Sequence, residues 1–216
     1  IQEKISKLLK EKIILFGSGR TDAGVHAVEQ SAHFVCKTKI IKSYSFLKSI
    51  NHFLNDEDVA IINIKKKNDS FHARFSAKMR IYKYIIINRL SGPVLDKNRG
   101  WHIMKELDLD IMKKGAKKLI GTKDFSTFRA SSCRAKSPIK TMKSVKIRYL
   151  TNKIEIEFKS KSFLQQQVRS MVGCLKYLGE KKWSLKKFES VMNSKKRDLC
   201  APPAPAKGLF LMRIIY

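Results

Sequence analysis

The sequence predicts an α+β chain made of two ferredoxin-like halves, each a β-α-β-β-α-β string, with the first strand of the N-terminal half absent. Three observations carry this expectation. Apolar residues switch repeatedly between a period of two and a period near 3.6. The resulting string reads α-β-β-α-β over the first part and β-α-β-β-α-β over the second. One strand placed ahead of Ile1, which is not a methionine and already sits in a helical pattern, makes the two strings alike. The halves join near "FHARFSAK", giving an N-terminal half over 1–77 and a C-terminal half over 78–216. A single irregular α+β domain is the competing reading.

Each element has its own warrant. Ile1, Ile5, Leu8 and Leu9 recur at helical spacing, and "KIILF" follows as a strand. In "SAHFVCKTK", Ala32, Phe34 and Cys36 alternate with polar neighbours, which predicts a second strand. Phe46, Leu47, Ile50, Phe53 and Leu54 return to helical spacing, and "VAIINIK" from Val59 reads as a strand ended by Lys65 to Lys67. The second half opens with "RIYKYIIIN", rich in β-branched and aromatic residues. A loop through Gly92-Pro93 and Trp101 leads to a helix with Ile111, Met112, Ala116, Leu119 and Ile120 on one side, capped by Asp108 or Asp110. "TMKSVKIRYL" and "KIEIEF", separated by Thr151 and Asn152, form a hairpin. A helix over Phe163 to Leu178, a shorter one holding Leu185 to Met192, the stop "APPAPAKG" and a last strand "LFLMRIIY" complete the string.

The chain's 216 residues, 43% of them hydrophobic, are enough for a real core. Its 46 Lys and Arg against 18 Asp and Glu leave a net +28, far beyond what solubility needs. A polyanion is the natural partner, and RNA or DNA is favoured over lipid because no apolar run approaches the roughly 20 residues that span a bilayer. No membrane role is expected, and a lysine-rich proteome is the bland alternative. Cys36, Cys133, Cys174 and Cys200 form no C-x-x-C pair, which fits a reducing cytoplasm and small buried hydrophobes rather than zinc or disulfides. His26, His33, His52, His72 and His102 show no metal spacing.

One loop stands out between two predicted strands. "GSGRTDAGVHA", Gly17 to Ala27, holds one arginine and one aspartate among small residues. It is not a phosphate-binding Walker loop, since no Gly-Lys-Ser/Thr follows the glycines. From spacing alone it is either a catalytic loop presenting Asp22 or a tight turn whose aspartate caps backbone amides.

"GRTDAGVHA" resembles the signature of the TruA-type tRNA pseudouridine synthases, and four further blocks resemble that family in order: "FHARFSAKMRIYKYIIIN", "DFSTFRASSC" with "SPIKTM", "FLQQQVRSMVG" and "APPAPAKGLFLMRIIY". The resemblance spans essentially the whole chain. Two departures are visible: the family's N-terminal strand with its "YDGT" and "GWQ" type motifs has no counterpart, and Gln165 to Gln167 stand where many members have a histidine pair.

The resemblance implies a continuous, mainly antiparallel sheet with helices on one side and an active-site cleft between the halves. It implies isomerisation of uridine to pseudouridine at positions 38, 39 and 40 of the tRNA anticodon stem-loop, with no metal or organic cofactor, by a cytoplasmic homodimer. Asp22 becomes the catalytic carboxylate. Arg169 pairs with it, since an anion working beside RNA phosphates needs a neighbouring cation. Arg20 contacts the RNA and helps hold the target nucleotide out of the stack. Tyr82 offers the uracil an aromatic face and a hydroxyl for proton transfer at C5, while Leu209 and Leu211 wall the pocket. Lys65 to Lys67 and the Arg129, Arg134 and Lys136 loop are candidate phosphate contacts. A non-catalytic RNA binder or a structural ribonucleoprotein component would show the same charge, but no RNP1-like strand is present.

Overall fold

Strand β4, Met79–Asn88, is the axis of the main sheet, because its run of Ile and Tyr is buried among partners on both sides. The computed structural model describes residues 1–38, 40 and 42–216, and the chain is α+β. Two units emerge: Ile1–Gly19 with Ser31–Ser76, and Arg20–Gln30 with Ala77–Tyr216.

In the second unit the chain continues from β4 through β5 (Trp101–Ile103), α3 (Leu109–Lys118), β6 (Gly121–Asp124), β7 (Ile139–Leu150), β8 (Lys153–Ser160), α4 (Gln167–Gly179), α5 (Leu185–Ser194) and β9 (Leu209–Ile215). A two-residue strand β2, His26–Ala27, joins at the edge. The strand order is β2-β9-β4-β8-β7-β6, with β5 pairing β4 where β9 has ended. Strand β8 thus lies between β4 and β7, which α3 connects, and β4 lies between β8 and β9, which α4 and α5 connect. This is the split β-α-β interleaving that the sequence pattern predicts for this part.

The β7–β8 hairpin forms because Thr151 and Asn152 both take positive φ, 22° and 66°, at the two-residue turn whose twist matches its strands. Along β8, Ile154, Ile156, Phe158 and Ser160 point inward and alternate with half-buried charged residues. The inner residues meet Met112 and Ala116 of α3, Val168, Met171, Val172, Leu175 and Leu178 of α4, and Phe188 of α5 in one apolar core. Helix α3 starts at Asp108, whose carboxylate accepts from the amides of Asp110 and Ile111 at 3.1 Å each. Helix α5 starts at Ser184, whose hydroxyl accepts from the Lys187 amide.

The first unit holds α1 (Gln2–Leu9) and α2 (Ser43–His52), packed through Ile5, Phe46 and Ile50 together with Ile13 and Leu54. Among the described residues its only strand pairing is β1 (Phe16–Gly17) with β3 (Ala32–His33). Of the expected strand at "KIILF" only Phe16 pairs, and that at "SAHFVCKTK" contracts to Ala32–His33, while Lys39 lies outside the described residues. The expected strand at "VAIINIK" has no ladder among them either. The Asn51 side chain takes the place of a neighbouring strand there, donating to the Ile61 carbonyl at 2.8 Å and accepting from its amide at 2.7 Å. Ile61 and Ile64, three residues apart, pack on the apolar cluster while Ile62 is exposed, so the period-two alternation of a strand is absent there.

Removing the α3 cap with Asp108→Ala should lower stability by about 1 kcal/mol. A urea titration checks this; an unchanged midpoint would mean that water replaces the cap without loss.

Candidate active site

The loop that carries Asp22 is shaped by a turn and then stitched into the second unit. The Asp22 carbonyl accepts from the Val25 amide at 3.1 Å, and Gly24 takes φ +79° at the third position, as a type II turn requires. A Cβ on Gly24 would meet the Ala206 side chain at ordinary contact distance, 3.4 Å, so it is the positive φ that favours glycine. Beyond the turn, β2 runs parallel to β9, with His26 opposite Phe210 and Ala27 opposite Leu211. The Val28 amide donates to the Leu211 carbonyl at 2.8 Å. The His26 ring stacks on Phe210 at 4.6 Å and donates through Nε2 to the Asn98 carbonyl, while Glu29 pairs with Arg213. Residues 20–30 consequently pack with the second unit, although in chain order they fall within 1–77.

Asp22 meets Arg169 of α4. Arg169 Nη1 donates to Asp22 Oδ2 at 2.8 Å, with 16% of the arginine side chain and 23% of the aspartate exposed. The guanidinium is held at a second point, because Nε donates to the Ala204 carbonyl at 2.7 Å. The Ala204 amide returns a hydrogen bond to the Arg169 carbonyl at 3.0 Å. A planar group fixed on two edges cannot swing, so the carboxylate bonded to it is oriented as well.

The chain can place Ala204 there because Gly173, one helical turn beyond Arg169, has no side chain. A Cβ at that position would lie 2.1 Å from the Pro202 carbonyl oxygen. The same loop is fastened elsewhere. Cys174 Sγ and Cys200 Sγ are 3.4 Å apart, Arg197 donates to Ser170 Oγ, and the buried Tyr84 hydroxyl donates to the Pro205 carbonyl at 2.8 Å. Gly208 leaves room for the Tyr84 ring, 2.6 Å from where its Cβ would be.

Tyr82 lies two residues before Tyr84 on the same side of β4. A bulge between Ile81 and Tyr82 sets it opposite Leu211, and its ring meets Phe163 edge-on at 5.1 Å. Burial raises the Tyr82 phenol above its ordinary pKa; the Asp22 charge adds to the rise and Arg80 opposes it. Leu211 and Leu209 are buried, Leu211 beside Tyr82 and Leu209 opposite Tyr84 in the main core. Arg20 is exposed, two residues before Asp22. The structure thus brings Asp22 and Arg169 into contact and sets Tyr82 against Leu211. Leu209 faces the core through Tyr84.

Several contributors carry no clear sequence signal. The Ala204 carbonyl, Gly173, the Tyr84 hydroxyl and His26 all position the pair, yet the run "APPAPAKG" reads only as a helix stop. Its small residues and prolines were the available hint, since such a segment presents carbonyls rather than side chains. Arg129 is occupied within its own loop, donating to the Cys133 and Ala135 carbonyls, whereas Arg134 and Lys136 are exposed. Gln167 is buried and accepts from the Leu164 amide at 2.8 Å, so it shapes the start of α4 rather than meeting solvent. Among the described residues no group of three His, Cys, Asp or Glu side chains gathers where a metal would sit.

Gly173→Ala should force the Pro202–Ala204 segment off α4. The expected cost is about 1–3 kcal/mol, together with faster hydrogen exchange at the Ala204 amide. Denaturant titration and amide exchange check both, and no change in either would mean that the helix and segment are not wedged together.

Comparison with known proteins bears on this arrangement directly. The family described as tRNA pseudouridine synthase matches residues 116–216. The chain is 70% identical to the tRNA pseudouridine synthase A of Pelagibacter ubique over 216 residues, all of this chain and 88% of that protein. It is 40% identical to the tRNA pseudouridine synthase A of Parvibaculum lavamentivorans, again over its whole length and 87% of the relative. The chain therefore belongs to the tRNA pseudouridine synthase family, isomerases that act on tRNA.

Proposed function

We propose that this protein converts uridine to pseudouridine at positions 38, 39 and 40 of the tRNA anticodon stem-loop, with Asp22 as the essential catalytic carboxylate. The observation that carries the proposal is the half-buried Asp22–Arg169 pair, an oriented carboxylate on a loop fastened to a rigid sheet. Family membership supplies the reaction, and the net charge of +28 suits a polyanionic substrate.

The reaction is an isomerisation, so its balance is simple. The bond from C1′ of the ribose to N1 of uracil breaks, the base turns, a bond from C1′ to C5 forms, the hydrogen on C5 leaves as a proton, and N1 takes up a proton in its place. Either route for the first step, attack on the sugar or removal of a sugar proton, needs one carboxylate held in a fixed direction. Arg169 provides that direction. Tyr82 lends an aromatic face against which the detached uracil can turn, with Leu211 beside it. Burial moves the Tyr82 phenol further from ionising, so its hydroxyl serves as a proton relay at C5 and not as a phenolate base. Leu209 supports the wall from the core. Arg20, exposed before the turn, reaches RNA and helps keep the target nucleotide extruded.

Arg134, Lys136 and Lys65 to Lys67 are exposed cations available for phosphates. The reading also includes a homodimer that clamps one tRNA between its subunits and a cytoplasmic location. No helix among the described residues is long and apolar enough to cross a membrane.

Tritium release from unmodified tRNA carrying [5-³H]uridine tests the proposal, with modified positions mapped by primer extension. Wild-type protein should release tritium from positions 38 to 40. Asp22→Ala should lose on the order of 10²–10⁴-fold or more in turnover while tRNA affinity stays within about threefold, since binding rests on distributed phosphate contacts. Equal loss of binding and turnover would make Asp22 structural, and no release by folded, tRNA-binding wild type would make the protein a binder.

A further inference from the structure

The first unit carries a cluster of five rings that the reaction chemistry does not use. Phe16 stacks on His33 at 5.1 Å with planes 23° apart, His33 meets His72 at 4.6 Å, and His72 meets Phe75 at 4.4 Å. Phe71 closes the group edge-on against His33 at 6.1 Å. Two members leave much of their surface to solvent: Phe16 is 43% exposed and Phe75 73% exposed.

Backbone hydrogen bonds hold the cluster in place. The Ala73 amide donates to His33 Nδ1 at 3.2 Å and the Arg74 amide to His72 Nδ1 at 3.1 Å. Each imidazole thus accepts a backbone hydrogen bond through Nδ1, which fixes the plane of its ring. The turn beneath them is tied by Ser76, whose hydroxyl accepts from the His72 amide and whose own amide donates to the His72 carbonyl. Burial lowers the His33 pKa, and the His72 ring beside it adds to the effect.

Cations frame the rings. Lys67 Nζ lies 5.5 Å from the Phe71 ring centre and the Arg74 guanidinium 5.9 Å from that of Phe75. From Lys65 to Lys78 the chain holds five basic residues and a single carboxylate, Asp69. Exposed flat rings set among cations match one class of partner best, because a nucleobase stacks on an aromatic face while the phosphates beside it meet the lysines and arginine. A protein partner of acidic character would satisfy the charges but not call for open ring faces, and an apolar partner would not call for the charges.

We propose that Phe16, His33, His72 and Phe75 form a stacking platform for an unpaired base of the RNA substrate, with Lys67 and Arg74 holding the adjoining phosphates. The identity of that RNA as tRNA rests on the synthase reading; the platform itself does not.

Phe75 is the residue to change, since its exposure makes its loss tolerable to the fold. The probe is a single-stranded ten-nucleotide RNA with one 2-aminopurine, whose fluorescence is quenched on stacking, alongside a full tRNA transcript. Wild-type protein should quench the probe. Phe75→Ala and Phe75→Leu should both bind about five- to a hundredfold more weakly and quench less, while Phe75→Trp should restore both. On tRNA the same variants should raise KM and leave kcat largely intact. Full affinity and quenching with Phe75→Leu would overturn the platform, as would unchanged RNA binding across all variants, which would assign the face to a protein partner. Tritium release by wild type separates the two readings. Release with unaltered Phe75→Ala binding sinks the platform alone, whereas no release with the stacking contrast intact sinks the synthase reading alone.

Discussion

The site depends on one guanidinium being held at two points. Arg169 reaches Asp22 with one nitrogen and the Ala204 carbonyl with another, which fixes both the carboxylate and the segment that follows α5. A partly desolvated ion pair of this kind gains little for stability, because removing the charges from water offsets their attraction. In the proposed reaction its use is orientation. A carboxylate free to rotate at the surface would be a weaker catalyst than one whose lone pairs have a fixed direction.

Everything around that guanidinium serves to keep its acceptors in place. Gly173 lets the Pro202 segment come within reach of α4, Tyr84 pins Pro205 from the core, and Gly208 makes space for Tyr84. On the other side, the two residues of β2 tie the Asp22 loop to β9, the strand that carries Leu209 and Leu211. The same strand thus anchors the loop and supplies the apolar wall beside Tyr82. An aspartate far along the chain from its partner arginine is brought to 2.8 Å by backbone pairing first and by charge second.

Long periodic elements were legible in the sequence, and contacts made by backbone groups were not. The β7–β8 hairpin follows from two alternating runs flanking Thr151 and Asn152, and the start of α3 from Asp108, because each rests on local chemistry. The resemblance in "GRTDAGVHA" and "FLQQQVRSMVG" pointed to Asp22 and Arg169 as partners, and the geometry places them in contact. The Ala204 carbonyl left no trace, since an acceptor of that kind can sit in any residue. Strands β2, β5 and β6 are too short for periodicity to register. At Ile61 the apolar run resembled a strand, yet an asparagine side chain satisfied the backbone that a strand would have paired.

The most direct test of the central claim is a double-mutant cycle on turnover, measured by tritium release with Asp22→Asn, Arg169→Gln and the two combined. If Arg169 acts by orienting Asp22, the double variant will be no slower than the worse single variant, because the second change removes a partner that has already lost its role. Losses that simply multiply would show that the two residues act independently, and would contradict the account in which one holds the other.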